Sequence, residues 1–321
     1  LIPDFAEIYG IEATPELVRE LRAAQPSGIH LIRRNIESPD QVRELVETLT
    51  RELGGDLEFA VRHEGGAVTP FVRGVTAFPG LEALEEAANP GLARDVGRAM
   101  GNELAAMGIT VNLVPESGPM ASELAVGLRC VGVKVGVGPV VAAGAKEPDE
   151  SEGAALAAAV AEAALRVERD PQKLLPLPSG SRVGLLVPRL GDVADRLPIA
   201  DDLRMTAALL RPGVGASVAV LEVAVQPDDK TVAMAAEWMA AQEAGVFFCF
   251  DAGRFEGQRR LLEAVASRCG RLIVAVIGNS GDRGLVGERS SLVRTCGFQA
   301  CQLKAALDAI LQSAGTAAKR K

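Results

Sequence analysis

The chain has 321 residues, which suggests two domains on a prior of ~150 residues each. Its hydrophobic fraction of 48% is enough for real cores, and a formal net charge of −8 argues against a nucleic-acid or anionic-membrane surface. No run of ~18 apolar residues is present to form a transmembrane helix, and five scattered cysteines (130, 249, 269, 296 and 301) form no CxxC pair or zinc spacing. A reducing, cytoplasmic setting without metal or cofactor is therefore expected. The chain opens on Leu1, which leaves a removed signal peptide open.

In chain order, residues 14–25 begin with Thr14-Pro15-Glu16, a cap followed by proline at the first helical position, and then place Leu17, Val18 and Leu21 on one face. Residues 29–32 read as a short strand. Ser38-Pro39-Asp40 caps a helix to about residue 53, with Val42, Leu45, Val46 and Leu49 at helical spacing. A strand at 57–61, a helix at 90–107 and a strand at 110–113 follow. Residues 124–128, with the Val/Gly-rich run 131–141, supply about one more unit. This alternation predicts βα units of a parallel sheet.

A closed (β/α)₈ barrel takes about 250 residues and no fewer than about 200. Only about 145 precede the acidic linker at 144–153, so the expected first domain, 1–143, is an incomplete barrel. The second, 154–316, opens with an alanine-rich helix at 154–167 and Leu174-Leu175-Pro176-Leu177-Pro178. Strands at 182–187, 217–225, 246–250 and 272–277 then alternate with helices at 201–210, 228–243, 255–267 and 299–313. Strands this apolar are buried on both faces, which predicts a doubly wound α/β sandwich. The basic tail at 317–321 reads as a solvated end.

Three blocks carry a family resemblance. They are Arg33-Arg34-Asn35-Ile36-Glu37-Ser38-Pro39; Arg62-His63-Glu64-Gly65-Gly66 after the strand at 57–61; and Gly101-Asn102-Glu103-Leu104 with Gly108-Ile109-Thr110-Val111-Asn112. In order and spacing they resemble the N-terminal barrel of family 3 glycoside hydrolases, the bacterial β-N-acetylglucosaminidase branch in particular. The helix and Leu-Leu-Pro-Leu segment resemble the opening of that family's second domain. The resemblance implies that the pentapeptide would read Asp-Gln-Glu-Gly-Gly, with the Asp gripping sugar hydroxyls. Here Arg62 holds that place, and a guanidinium has donors only.

The resemblance also implies a retaining mechanism with an aspartate nucleophile in a Ser-Asp-Asp-Leu-x-Met pattern and a histidine acid/base after a Lys-His. The chain has no Lys-His, and its two histidines are His30 and His63. Lys134 follows Gly132-Val133, where the family approaches that segment, but Val135-Gly136-Val137 comes next. Asp201-Asp202-Leu203-Arg204-Met205 matches the nucleophile letters, yet it lies beyond the domain boundary, where Asp at a helix start is an ordinary cap.

The catalytic candidates are therefore His63, Glu64, Asp201 and Asp202, and the ligand-binding candidates are Arg33, Arg34, Asn35, Arg62, His63 and Glu64. His63 reads either as a titrating group or as a loop residue bonded to backbone. The three arginines read either as an anion pocket or as partners of Glu37 and Glu64. Gly278-Asn279-Ser280-Gly281-Asp282 is a polar loop at a strand's end, where open sheets bind ligands, or a plain connection.

The expected function is that of a catalytically degenerate homologue acting as a binding or scaffold protein. A glycosidase with non-standard carboxylates and an enzyme or binder for an anionic ligand stand as alternatives. The expected partners are a carbohydrate or anionic small molecule, with neither nucleic acid nor membrane. An unclosed barrel should also expose apolar interior side chains. A homodimer or a partner protein, contacting the 131–141 run, is expected to cover that open edge.

Overall fold

A computed structural model describes residues 5–54, 56–136, 145–178, 180–194, 197 and 218–311. Asp201, Asp202, the expected helix at 201–210, residues 137–141 of the Val/Gly-rich run and the basic tail lie outside the described residues. The chain divides into two units, Leu1–Val160 and Ala161–Lys321.

In the first unit, five strands form one parallel sheet in sequential order: β1 (Phe5–Glu7), β2 (Gly28–His30), β3 (Glu58–Val61), β4 (Val111–Asn112) and β5 (Lys134–Val135). The helices are α1 (Pro15–Ala24), α2 (Pro39–Leu53), α3 (Leu81–Ala87), α4 (Pro90–Ala106) and α5 (Pro119–Cys130). Three of them start by one device. Thr14, Ser38 and Asn89 each accept a hydrogen bond from a backbone N–H three residues on, and each is followed by proline, whose missing N–H costs nothing at that position. Helices α4 and α5 meet backbone to backbone. A Cβ on Gly97 would sit 2.1 Å from the Leu124 carbonyl oxygen, and one on Gly127 would sit 2.1 Å from that of Arg94. Only glycine permits this approach.

Strand register sorts the side chains of this sheet. Ala6, Ile29 and Phe59 align across β1 to β3, and Val61, Asn112 and Val135 align across β3 to β5. Of these only Ala6 is not buried, so this is the face that the helices cover. On the opposite face Glu7 aligns with His30, Glu58 with Gly28, and Lys134 with Val111, and the four named polar residues are half-buried or exposed. Lys134 pairs with Glu58 across that face. The side that a closed barrel would enclose was expected to show apolar side chains. It is mixed: Glu7, His30, Glu58 and Lys134 share it with Ala60 and Val111, which align with His30 and Lys134 and are buried.

Helix α6 (Glu150–Ala164) carries the chain across the division between units. The sequence reading placed a linker at 144–153 and a helix at 154–167. The helix starts earlier, because Asp149 accepts the Ser151 and Glu152 N–H groups and so serves the helix start. It stops earlier too, since Arg166–Arg169 forms β6.

The second unit holds a six-stranded sheet in the order β6-β11-β10-β9-β7-β8. Its strands are β6, β7 (Val183–Arg189), β8 (Val218–Ala224), β9 (Ala244–Cys249), β10 (Leu272–Val276) and β11 (Ser291–Arg294). Its helices are α7 (Asp229–Ala240), α8 (Glu256–Arg268) and α9 (Ala300–Leu311). All pairings are parallel except β6 with β11. Alternate residues feed two cores. Val246 and Phe248 join Leu185, Ile273 and Ala275 against α9, whereas Phe247 and Cys249 join Val274 and Val276 against α7 and α8. Helices on both faces make this the expected doubly wound sandwich. The sequence reading passed over β1, β6, β11 and α3, each a short element whose period cannot be counted.

Candidate functional site

The pentapeptide after β3 sits at the C-terminal ends of the first unit's strands, the end at which α/β barrels place their chemistry. The turn is built from its glycines. Gly65 and Gly66 have φ of 77° and 55°, and a Cβ on Gly65 would lie 2.6 Å from the Pro79 carbonyl oxygen. The Glu64 N–H donates to Val68 O at 2.7 Å and the Gly66 N–H to Phe78 O at 2.8 Å, which folds the segment back on itself.

His63 is held by its backbone. Its N–H donates to Asn112 Oδ1 and its carbonyl accepts from Asn112 Nδ2, both at 2.9 Å, which ties the end of β3 to β4. The imidazole is 2% exposed and stands edge-on to Phe71, with ring centroids 5.3 Å apart. Neither ring nitrogen has a hydrogen-bond partner. Burial pushes the imidazole pKa down to about 4, so at neutral pH the ring is uncharged. A general acid or base must lie within hydrogen-bond reach of its proton partner, and this ring faces hydrocarbon.

Arg62 turns outward and closes on Glu64. Its Nε and Nη2 both reach Glu64 Oε1, at 2.8 and 2.7 Å, with Glu64 nearly buried and Arg62 mostly exposed. The position that the family resemblance assigns to a sugar-gripping carboxylate therefore holds a cation spent on its own neighbour.

The other candidates disperse. Asn35, in a 3₁₀ turn at Arg33–Asn35, is buried, and its amide is consumed by Ile8 O, Gly10 O and the Ile32 N–H. Arg34 pairs with Glu7 at 3.0 Å, not with Glu37, and its guanidinium lies 4.8 Å from the Tyr9 ring centroid. Arg33 is exposed and has a partner of its own. Asp201 and Asp202 fall outside the described residues. In the second unit, Asp251 accepts the Asn279 N–H and Asp282 accepts those of Ala252 and Gly253, so that polar loop is tied down by its own carboxylates.

Asn112, Glu7 and Tyr9 escaped the sequence reading as site residues. Asn112 had a usable signal, an amide in an apolar strand, since a buried side-chain amide must find partners. Among the described residues no three His, Cys, Asp or Glu side chains gather to hold a metal ion, and no helix is long and apolar enough to cross a membrane.

Residues 7–117 match the glycosyl hydrolase family 3 N terminal domain. The β-hexosaminidase of Idiomarina loihiensis is 34% identical over 113 residues, and that of Neisseria meningitidis serogroup B is 32% identical over 120 residues. The first match covers 34% of this chain and 34% of the relative, and the second covers 35% and 33%, so about a third of each curated relative is spanned. Among solved structures, a family 3 β-N-acetylglucosaminidase from a Paenibacillus strain superposes with a TM-score of 0.79 at 15% identity, covering 96% of this chain and 95% of that one. A β-glucosidase from Listeria innocua gives 0.63 at 11% identity, covering 92% and 69%. At such identities these structures speak for the fold alone.

Proposed function

Residues 7–117 are a family 3 glycosyl hydrolase N-terminal segment similar to the bacterial β-hexosaminidases, and from that premise we propose that the chain binds N-acetylhexosamine-containing glycan without hydrolysing it. One observation carries the reading. At the pentapeptide, Arg62 and Glu64 pair with each other, and His63 is buried with its ring edge-on to Phe71. Retaining hydrolysis needs an acid/base and a nucleophile on opposite sides of the glycosidic bond, with carboxyl groups about 5–5.5 Å apart. Glu64 Oε1 is already taken by the Arg62 guanidinium, and a buried ring with no hydrogen-bond partner has no proton path to a sugar oxygen. The anionic-ligand alternative loses support, since Arg34 and Arg62 each hold a carboxylate and Arg33 also has a partner.

The test pairs turnover with binding. The full chain should give no product from aryl N-acetyl-β-glucosaminide or aryl β-glucoside, yet should titrate with a chito-oligosaccharide in a calorimeter. The double variant Arg62→Asp, His63→Gln, which restores the family's letters, should remain inactive. Turnover that Glu64→Gln abolishes would overturn the proposal.

A further inference from the structure

The chain's single tyrosine, Tyr9, stands 82% exposed just after β1, on the same end of the sheet as the pentapeptide. An isolated exposed apolar residue is ordinary; this one is mounted. Asn35 Nδ2 donates to Ile8 O at 3.0 Å and to Gly10 O at 2.9 Å, gripping the carbonyls on either side of Tyr9. Gln41 Nε2 holds Ile11 O at 2.7 Å, and Gly10 takes a φ of 82° to turn the chain there. Arg34 lies 4.8 Å from the ring centroid and donates to Glu7 Oε2 at 3.0 Å. Glu7 in turn is the cross-strand partner of half-buried His30. A buried amide, a glutamine and an arginine are thus spent on positioning one solvent-facing ring.

We infer that Tyr9, Glu7 and His30 form a saccharide subsite at the β1–β2 edge of the first unit, with Tyr9 as the platform for the apolar face of a pyranose ring. The inference rests on the glycan-binding reading above and says where the sugar goes. A ring whose backbone is already fixed loses little freedom on binding, which is how rigid aromatics gain contact area cheaply in entropy. Arg34 occupies Glu7 Oε2, which leaves Oε1 to accept from a sugar hydroxyl. A neutral His30 offers one donor and one acceptor beside it. The carboxylate acceptor that Arg62 removes from the end of β3 is thereby supplied two strands away. Asn35 and Arg34 become positioning residues for the platform.

The probe is N,N′,N″-triacetylchitotriose, titrated into the full chain by calorimetry. Tyr9→Ala should weaken binding about tenfold, the scale of one lost aromatic contact, while Tyr9→Phe should stay within about twofold because stacking does not need the hydroxyl. Arg62→Ala should leave affinity unchanged. A second measurement avoids any variant: with ¹³C-labelled tyrosine the chain gives one aromatic spin system, which should shift on titration. Binding with Tyr9→Ala unaffected and the tyrosine signal unmoved would overturn the inference and leave the glycan reading standing, as would binding lost through Arg62→Ala alone. Absence of chitotriose binding in the parent chain would remove both.

Discussion

The two sheets alternate strand and helix in the same way, yet they hold together differently. Strands in the first unit run two to four residues, whereas β7 and β8 run seven each. A two-residue strand contributes few ladder bonds and little buried area. The first unit compensates with side-chain ties across strand ends: Asn112 to the His63 backbone, Thr110 Oγ1 to the Phe59 N–H, and Asn35 to the loop after β1. It also relies on the close glycine contact of α4 with α5. The second unit is held by two apolar layers on either side of one sheet. Polar side chains at strand ends are thus structural in the first unit, so an Asn or His there is weak evidence of chemistry until its partners are known.

Removing apolar volume from the second unit should give the largest effect. Phe248 is fully buried among Leu185, Phe250 and Ile273. Phe248→Ala should cost about 3–5 kcal/mol, as large-to-small core changes do. The single tryptophan, Trp238 in α7, packs against the second unit's other core, so its fluorescence in denaturant reports this unit. A shift below about 1 kcal/mol would contradict the account of that core.

Acid should act on the first unit. His63 has a folded-state pKa of about 4 against an ordinary 6.5, because the buried ring resists charging. The unfolded chain therefore binds a proton that the folded chain refuses between those values. Stability is full above pH ~6.5, falls as pH drops toward 4, and levels off below, by about 3–4 kcal/mol in all. Denaturation curves followed by circular dichroism at pH 7.5 and 4.5 should show this loss, and His63→Gln should remove most of it. If the Trp238 signal shifts equally, the two units unfold together; an unchanged pH dependence in His63→Gln would contradict the burial argument.

What the sequence made legible follows the same division. The caps at Thr14 and Ser38 and the apolar runs of β9 and β10 are local signals, and they appear where expected. The α/β class and the family 3 resemblance followed from such signals, and residues 7–117 bear the latter out. Partners distant in sequence were not legible. Arg33, Arg34 and Arg62 were weighed against Glu37 and Glu64; Arg62 does pair with Glu64, two residues away, whereas Arg34 pairs with Glu7, which is distant in sequence. His63 was weighed as a titrating group, and its burial under Phe71 depends on a loop that no periodicity describes. The inner face of the first sheet was expected to be apolar on the rule for closed barrels, and only strand register shows that Ala60 and Val111 share it with Glu7, His30, Glu58 and Lys134.

The smallest expected effect lies at the most conspicuous sequence feature. Arg62 is 61% exposed on its side chain, and its pair with Glu64 is open to solvent on the arginine side. Exposed ion pairs contribute about 0–1 kcal/mol, since screening and the ordering of a long side chain offset the attraction. Glu64 is less exposed, at 10% of its side chain, so removing the cation also leaves a carboxylate with a poorer environment. These terms place Arg62→Ala at a loss of about 1 kcal/mol or less near neutral pH. Denaturation curves of the two proteins, followed by circular dichroism, measure that loss directly. A stability loss of several kcal/mol would mean that the pair holds the turn at Gly65 and Gly66 together and that the arginine is structural.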